Sequence, residues 1–206
     1  MQQRMTFWYL LGYSLSKAIA RTFFRYRVFG AENIVEEGPV IFAPNHASFL
    51  DPPLAGIASK RGIHYLARKT LLDWPVLGPI LPELNVIPVD QENADRSALM
   101  ASIRVLRHGG ALLVFPEGAR TPDGKLQPAQ PGIGLMVAKT GAPVIPIRIF
   151  GSYEAFPSGR TLPRLVPVTV VVGKPLRFSA EETAGRDSYQ KISDRIMDAV
   201  AKLELR

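Results

Sequence analysis

The chain has 206 residues and no cysteine, which excludes disulfides, thiolate zinc sites and a cysteine nucleophile. Its 47% hydrophobic and 9% aromatic content belongs to a folded chain with a real core, not a disordered one. The net charge of +7 is uneven: Arg4, Lys17, Arg21, Arg25 and Arg27 all precede the first acidic residue, Glu32, and an end both basic and apolar points to an anionic membrane surface rather than to nucleic acid.

Residues 5–29 read as one helix, free of proline and with a single glycine, Gly12. At 100° per residue, Ser14, Lys17, Arg21 and Arg25 share one stripe, while Trp8, Leu11, Leu15, Ile19, Thr22 and Tyr26 lie near the opposite face. The run from Met5, apolar almost all round, stops at Leu15, about half the roughly 20 residues a spanning helix needs. The expectation is therefore a helix lying in one leaflet, with Trp8, Leu11, Leu15, Lys17, Arg21 and Arg25 against lipid. Two blander readings compete. Ala18-Ile19-Ala20 imitates a signal-peptide cleavage site, although Lys17 and the following arginines argue against it. Alternatively, the helix only packs on the domain.

The rest alternates β-rich and helical stretches, the pattern of a single α/β domain with a mixed, largely parallel sheet flanked by helices. Strands are expected at 40–43, 63–67, 86–89, 111–115, 144–150 and 168–172, several continuously apolar as buried inner strands require. Helices are expected at 94–108 (capped by Asn93, buried through Leu99, Ile103 and Leu106, ended by Gly109 and Gly110), at 132–140, and at 188–205. The last would be capped by Asp187 and buried along Tyr189, Ile192, Ile196, Val200 and Leu203. The domain reading is residues 1–29 as a membrane-anchoring helix and 30–206 as a catalytic domain.

Several machines are absent: no Gly-x-Ser-x-Gly elbow, no phosphate loop ending Gly-Lys-Ser/Thr, and no complete dinucleotide fingerprint at Gly132-Ile133-Gly134. Three histidines and no thiol make a histidine-rich metal site implausible, so no metal is expected. His108 sits at a helix end and His64 opens a strand, both structural positions. His46 differs. It follows the strand 40–43 directly, and Asp51 comes five residues later before Pro52 and Pro53, which suit a helix start. A carboxylate on one imidazole nitrogen fixes the tautomer and stabilises the imidazolium, so that the other nitrogen can deprotonate an alcohol attacking an acyl carbonyl. The spacing alone says little, because a capping Asp51 and an unrelated His46 account for it in an arbitrary protein.

A second segment, Phe115-Pro116-Glu117-Gly118-Ala119-Arg120-Thr121, also follows an apolar strand and ends on the same sheet edge. Together with Asn45-His46-Ala47-Ser48-Phe49-Leu50-Asp51 it resembles the glycerolipid acyltransferase family, in its bacterial 1-acyl-glycerol-3-phosphate acyltransferase branch, over residues 30–175. Lys69, with Pro75 and Gly78 behind it, resembles the family's second block, and Val144-Ile145-Pro146-Ile147 its fourth.

The resemblance implies His46 as general base and Asp51 as its orienter, with Arg120 and Lys69 holding the substrate phosphate and Arg68 as a substitute for Lys69. Glu117 and Gly118 would shape the glycerol pocket, or Glu117 would hold Arg120. Two positions depart from the family pattern: Ala119 stands where threonine is frequent, and Gln91 where arginine is common, which loosens the assignment of the acceptor.

The implied reaction transfers a fatty acyl group from acyl-coenzyme A or acyl carrier protein to lysophosphatidic acid, giving phosphatidic acid. It uses no tightly bound cofactor and takes place at the cytoplasmic face of the cell membrane. No acyl-enzyme is expected, since Ser48 is too near His46 and Asp51 in sequence for a triad. Other readings keep the same residues: another lysophospholipid or an amino-acid- or sugar-linked lipid as acceptor, a thioesterase, or a non-catalytic membrane-binding module.

Overall fold

The strand Val40–Pro44 (β2) has every residue buried, and the rest of the computed structural model is arranged around it. The structure describes residues 5–75, 78–90 and 96–205. In chain order it contains α1 (Phe7–Phe24), β1 (Arg27–Phe29), β2, α2 (Asp51–Gly56), β3 (Ile63–Arg68), β4 (Val86–Val89), α3 (Arg96–Arg107) and β5 (Ala111–Leu113). After these come α4 (Pro131–Thr140), β6 (Val144–Phe150), α5 (Ser152–Ala155), β7 (Thr169–Val172) and α6 (Ser188–Ala201).

The seven strands lie in the order β1-β7-β6-β2-β5-β3-β4, with every neighbouring pair parallel except β6 and β7. Because β2 has neighbours on both edges and helices on both faces, it carries no polar position, as an inner parallel strand must. Phe42 faces a layer containing Ala20 and Phe24 of α1 and Leu54 and Ala55 of α2. Ile41 and Ala43 face the opposite layer, with Leu106 of α3, Ile133 and Val137 of α4, and Ile192 and Ile196 of α6. The parallel strands β2 to β6 all point their carboxyl ends at one edge, where a sheet of this kind places its ligands.

The six expected strands form, two at the expected limits and three within one residue of them, with 111–115 pairing only as far as Leu113. The amino-terminal helix ends earlier than expected. It stops at Phe24, because Arg25 turns into the left-handed region (φ 45°). Tyr26 then swings inward, its hydroxyl donating to the Leu54 carbonyl at 2.7 Å. Residues 27–29, expected to be helical, instead pair with β7 as an edge strand. A basic, aromatic and β-branched triplet suits either state locally, and the free edge of β7 decides between them. The final helix also stops early, at Ala201, and the Asp187 side chain makes no capping bond. The expected cap Asn93 lies outside the described residues, as does Gln91.

Helix α1 is docked through tyrosines. Tyr9 is buried, and its hydroxyl accepts the Ile63 amide at 3.0 Å, while the Tyr13 hydroxyl donates to the Ile57 carbonyl at 3.4 Å. Its remaining surface keeps Phe7, Trp8, Leu11, Leu15, Ile19 and Phe23 exposed, with Arg21 beside them. No helix among the described residues is long and apolar enough to cross a membrane. Tyr9→Phe strands the buried Ile63 amide, so urea unfolding should show a loss of about 1–3 kcal/mol. An unchanged midpoint would contradict the docking just described.

Candidate active site

The turn after β2 is built around one carboxylate oxygen. Asp51, fully buried as the first residue of α2, accepts the Ala47 and Ser48 amides on Oδ2, both at 2.6 Å. The same Oδ2 lies 3.0 Å from Nδ1 of His46. Its second oxygen, Oδ1, is buried and has no partner among the described residues. Three donors on one anionic oxygen close the five-residue turn, and they leave the Nδ1 position of His46 able only to donate. The imidazole lies flat on Phe115, with ring centroids 3.7 Å apart and planes inclined by 16°. With its two flanks fixed, the ring is 16% exposed, and among the described residues Nε2 has no partner.

Asn45 extends the sheet past the last strand residue. Its amide oxygen accepts the Ile149 amide at 2.7 Å and its amino group donates to the Ile149 carbonyl at 3.3 Å, clipping the end of β2 to β6. Ser48 is fully buried and donates to the Phe156 carbonyl at 2.7 Å, which removes it as a nucleophile.

The second motif is fastened to the first by Glu117, which is buried after β5. One carboxylate oxygen accepts the His46 amide at 2.6 Å and the other accepts the Gln127 amide at 2.8 Å. The His46 carbonyl in turn accepts the Thr121 amide at 2.8 Å. Glu117 therefore bonds neither Arg120 nor open pocket space; it ties the two motif loops together. Burial raises its pKa, opposed by these two amide donors. Gly118 sits at φ +74°, where a Cβ would come within 3.0 Å of Gln130, so the turn that carries the loop back needs glycine.

Arg120 lies with its guanidinium 3.5 Å from the Phe49 ring centre, and its Nη1 is buried with no acceptor among the described residues. Burial lowers its pKa, and the nearby positive charge of Arg68 acts in the same direction. Arg68 ends β3, next to β5 in the sheet. Lys69 opens the 3-10 turn that follows and is exposed. A cleft of about 450 Å³ opens on the β6 side of the turn, bordered by Asn45, Ala47, Leu126, Ile149, Phe150 and Tyr153. Of the other histidines, His108 bonds the Arg104 carbonyl at 2.8 Å, a helix-end role, and His64 is partly buried in β3. No cluster of metal-ligating side chains occurs among the described residues.

The Acyltransferase family model matches residues 25–150. The chain belongs to this family. It is similar to the 1-acyl-sn-glycerol-3-phosphate acyltransferase of Bacillus subtilis (strain 168), 27% identical over 73% of both chains. A chloroplastic 1-acyl-sn-glycerol-3-phosphate acyltransferase of Brassica napus is 26% identical over 84% of this chain and 51% of its own. The chain thus spans about half the length of such plant relatives. Among solved structures, the 1-acyl-sn-glycerophosphate acyltransferase PlsC of Thermotoga maritima superposes with a TM-score of 0.75 at 27% identity, over 96% of this chain and 81% of that one.

Asn45, Glu117 and Phe115 support the imidazole in ways that no linear spacing announces. Only the coincidence of two post-strand motifs hinted that their loops must touch. Because Glu117 receives two amides, Glu117→Gln leaves one of them facing an amino group. Its thermal midpoint should fall by an amount equivalent to about 1–3 kcal/mol, with turnover falling as well. A variant as stable and as active as the parent would contradict the tie between the loops.

Proposed function

We propose that the chain is a 1-acyl-sn-glycerol-3-phosphate acyltransferase, moving a fatty acyl group from acyl-coenzyme A or acyl carrier protein to the sn-2 hydroxyl of lysophosphatidic acid. The observation that carries this reading is an oriented imidazole on one motif loop and, on the loop tied to it, an arginine whose buried Nη1 has no acceptor among the described residues.

In this reading Nε2 of His46 takes the acceptor's hydroxyl proton as the oxygen attacks the thioester carbonyl. The carbon–sulfur bond then breaks, and the thiolate leaves with the proton returned from the imidazolium. The negative charge of Asp51 stabilises that imidazolium for as long as it exists. The guanidinium of Arg120, stacked on Phe49, receives the phosphate of the acceptor as a planar donor. Arg68 is the second cation of this site, with Lys69 as the competing choice. The names of the relatives from Bacillus and Brassica support the same acceptor.

Membrane placement is part of the proposal. The exposed Trp8, Leu11 and Leu15 of α1 enter the headgroup region, with Lys17, Arg21 and Arg25 towards anionic lipid phosphates, at the cytoplasmic face of the cell membrane. A peripheral enzyme so placed draws a lipid acceptor from the bilayer and an anionic, water-soluble donor from solution.

The purified protein, given a labelled acyl thioester and lysophosphatidic acid, should form labelled phosphatidic acid, whereas a thioesterase releases free fatty acid regardless of acceptor. His46→Ala should lower kcat by about 10²- to 10⁴-fold; unchanged turnover would sink the mechanism. Arg120→Ala should raise the acceptor KM about tenfold or more, the scale of a charge-assisted bidentate contact. The same measurement on Arg68→Ala and Lys69→Ala identifies the second cation.

A further inference from the structure

Beyond α1, one further surface carries large apolar side chains in water without any acidic neighbour in sequence. No aspartate or glutamate occurs between Glu154 and Glu181, whereas Arg160, Arg164, Lys174 and Arg177 do. Within that stretch, the loop between α5 and β7 exposes Leu162 at 75% and Leu165 at 64%, the first the highest exposure of any large apolar residue described. Arg160 and Arg164 beside them are exposed as well. Neither arginine has an ion-pair partner among the described residues.

The loop is not a loose insertion, for both ends are fastened. At its start the Phe156 carbonyl accepts the Ser48 hydroxyl of the His46 turn, and the Phe156 ring lies 5.7 Å from Phe49, the ring that carries Arg120. The Arg164 amide then bonds the Ala155 carbonyl at 2.7 Å, closing the loop on itself. At its end the Val168 amide bonds the carbonyl of Phe24, the last residue of α1, at 2.8 Å, and Val166 packs into the core behind. The loop therefore bridges the carboxyl end of α1, where Phe23 is half exposed, to the mouth of the candidate active site. Pro157, Pro163 and Pro167 stiffen it, so the leucines are held outward at little entropic cost.

Two exposed leucines interleaved with two unpaired arginines complement an anionic bilayer, in which apolar tips enter the acyl boundary and guanidinium groups meet lipid phosphates. We infer that residues 157–167 are a second membrane contact: Leu162 and Leu165 enter an anionic bilayer and Arg160 and Arg164 pair with its headgroups, next to α1. With α1 alone the protein touches lipid along one helix and can roll about it. With the loop added, the contact becomes two-sided and holds the Phe49–Arg120 edge of the site towards the lipid surface from which an acceptor would emerge.

The inference rests on the membrane placement proposed above, and the absence of native cysteine gives a clean test of it. Full-length Leu162→Cys, labelled with an environment-sensitive fluorophore, is mixed with phosphatidylcholine vesicles with and without phosphatidylglycerol, free of acyl donor and acceptor. Emission should shift to the blue on the anionic vesicles. In parallel, Leu162→Ser/Leu165→Ser should lower partitioning about five- to tenfold with α1 intact, and Arg160→Gln/Arg164→Gln should weaken binding to anionic but not to neutral vesicles. Vesicles that bind the protein without moving the probe overturn the loop contact alone. Failure to bind at all overturns the membrane placement with it, and neither result touches the acyl-transfer reading.

Discussion

One carboxylate oxygen organises the candidate site. Oδ2 of Asp51 gathers the Ala47 and Ser48 amides and Nδ1 of His46, so the bonds that fold the turn are also the ones that orient the imidazole. Removing the carboxylate would leave two buried amides unpaired, each costing about 1–3 kcal/mol, and would release the ring at the same time. Stability and chemistry are coupled here by geometry. Glu117 repeats the device one loop further out, trading its two oxygens between the amides of His46 and Gln127. Two buried carboxylates thus assemble two post-strand loops into one rigid edge, without a metal ligand set among the described residues.

The cations differ in kind from these carboxylates. Asp51 and Glu117 are bonded mainly by backbone amides, whereas Arg120 lies against an aromatic ring within the influence of the Arg68 charge, with a buried nitrogen left over among the described residues. Burial and the charge of Arg68 together outweigh the opposing pull of the Asp51 carboxylate on Arg120, and an incoming anion would relieve them. Preorganisation of this kind places the cost in folding rather than in binding. Such a site suits a phosphate-bearing acceptor.

Much of the fold was legible because inner parallel strands have no choice of composition. Val40 to Ala43 and Val144 to Ile147 are apolar on both faces, and the helices between them show the 3.6-residue stripe. The edges were not legible. Arg27–Phe29 satisfies helical and extended patterns equally, and only the open side of β7 makes it a strand. His46 and Asp51 were visible because their partnership is local. The partners of Glu117 lie 71 and 10 residues away, and its role as a clamp depends on which loops the sheet brings together. Arg68 closes its strand and Lys69 opens the turn after it, both exposed, and sequence could not say which of the two accompanies Arg120. The amphipathic reading of α1 was half of the truth: one flank docks through Tyr9 and Phe24, and the apolar remainder stays uncovered.

The central claim is that Asp51 fixes His46 as the Nδ1–H tautomer with Nε2 available to accept a proton. With only three histidines in the chain, long-range proton–nitrogen correlation spectra of the neutral imidazoles test it directly. The account predicts a protonated Nδ1 and an unprotonated Nε2 for His46 in the parent protein, with that preference lost in Asp51→Ala. A parent protein whose His46 carries its proton on Nε2 would contradict it.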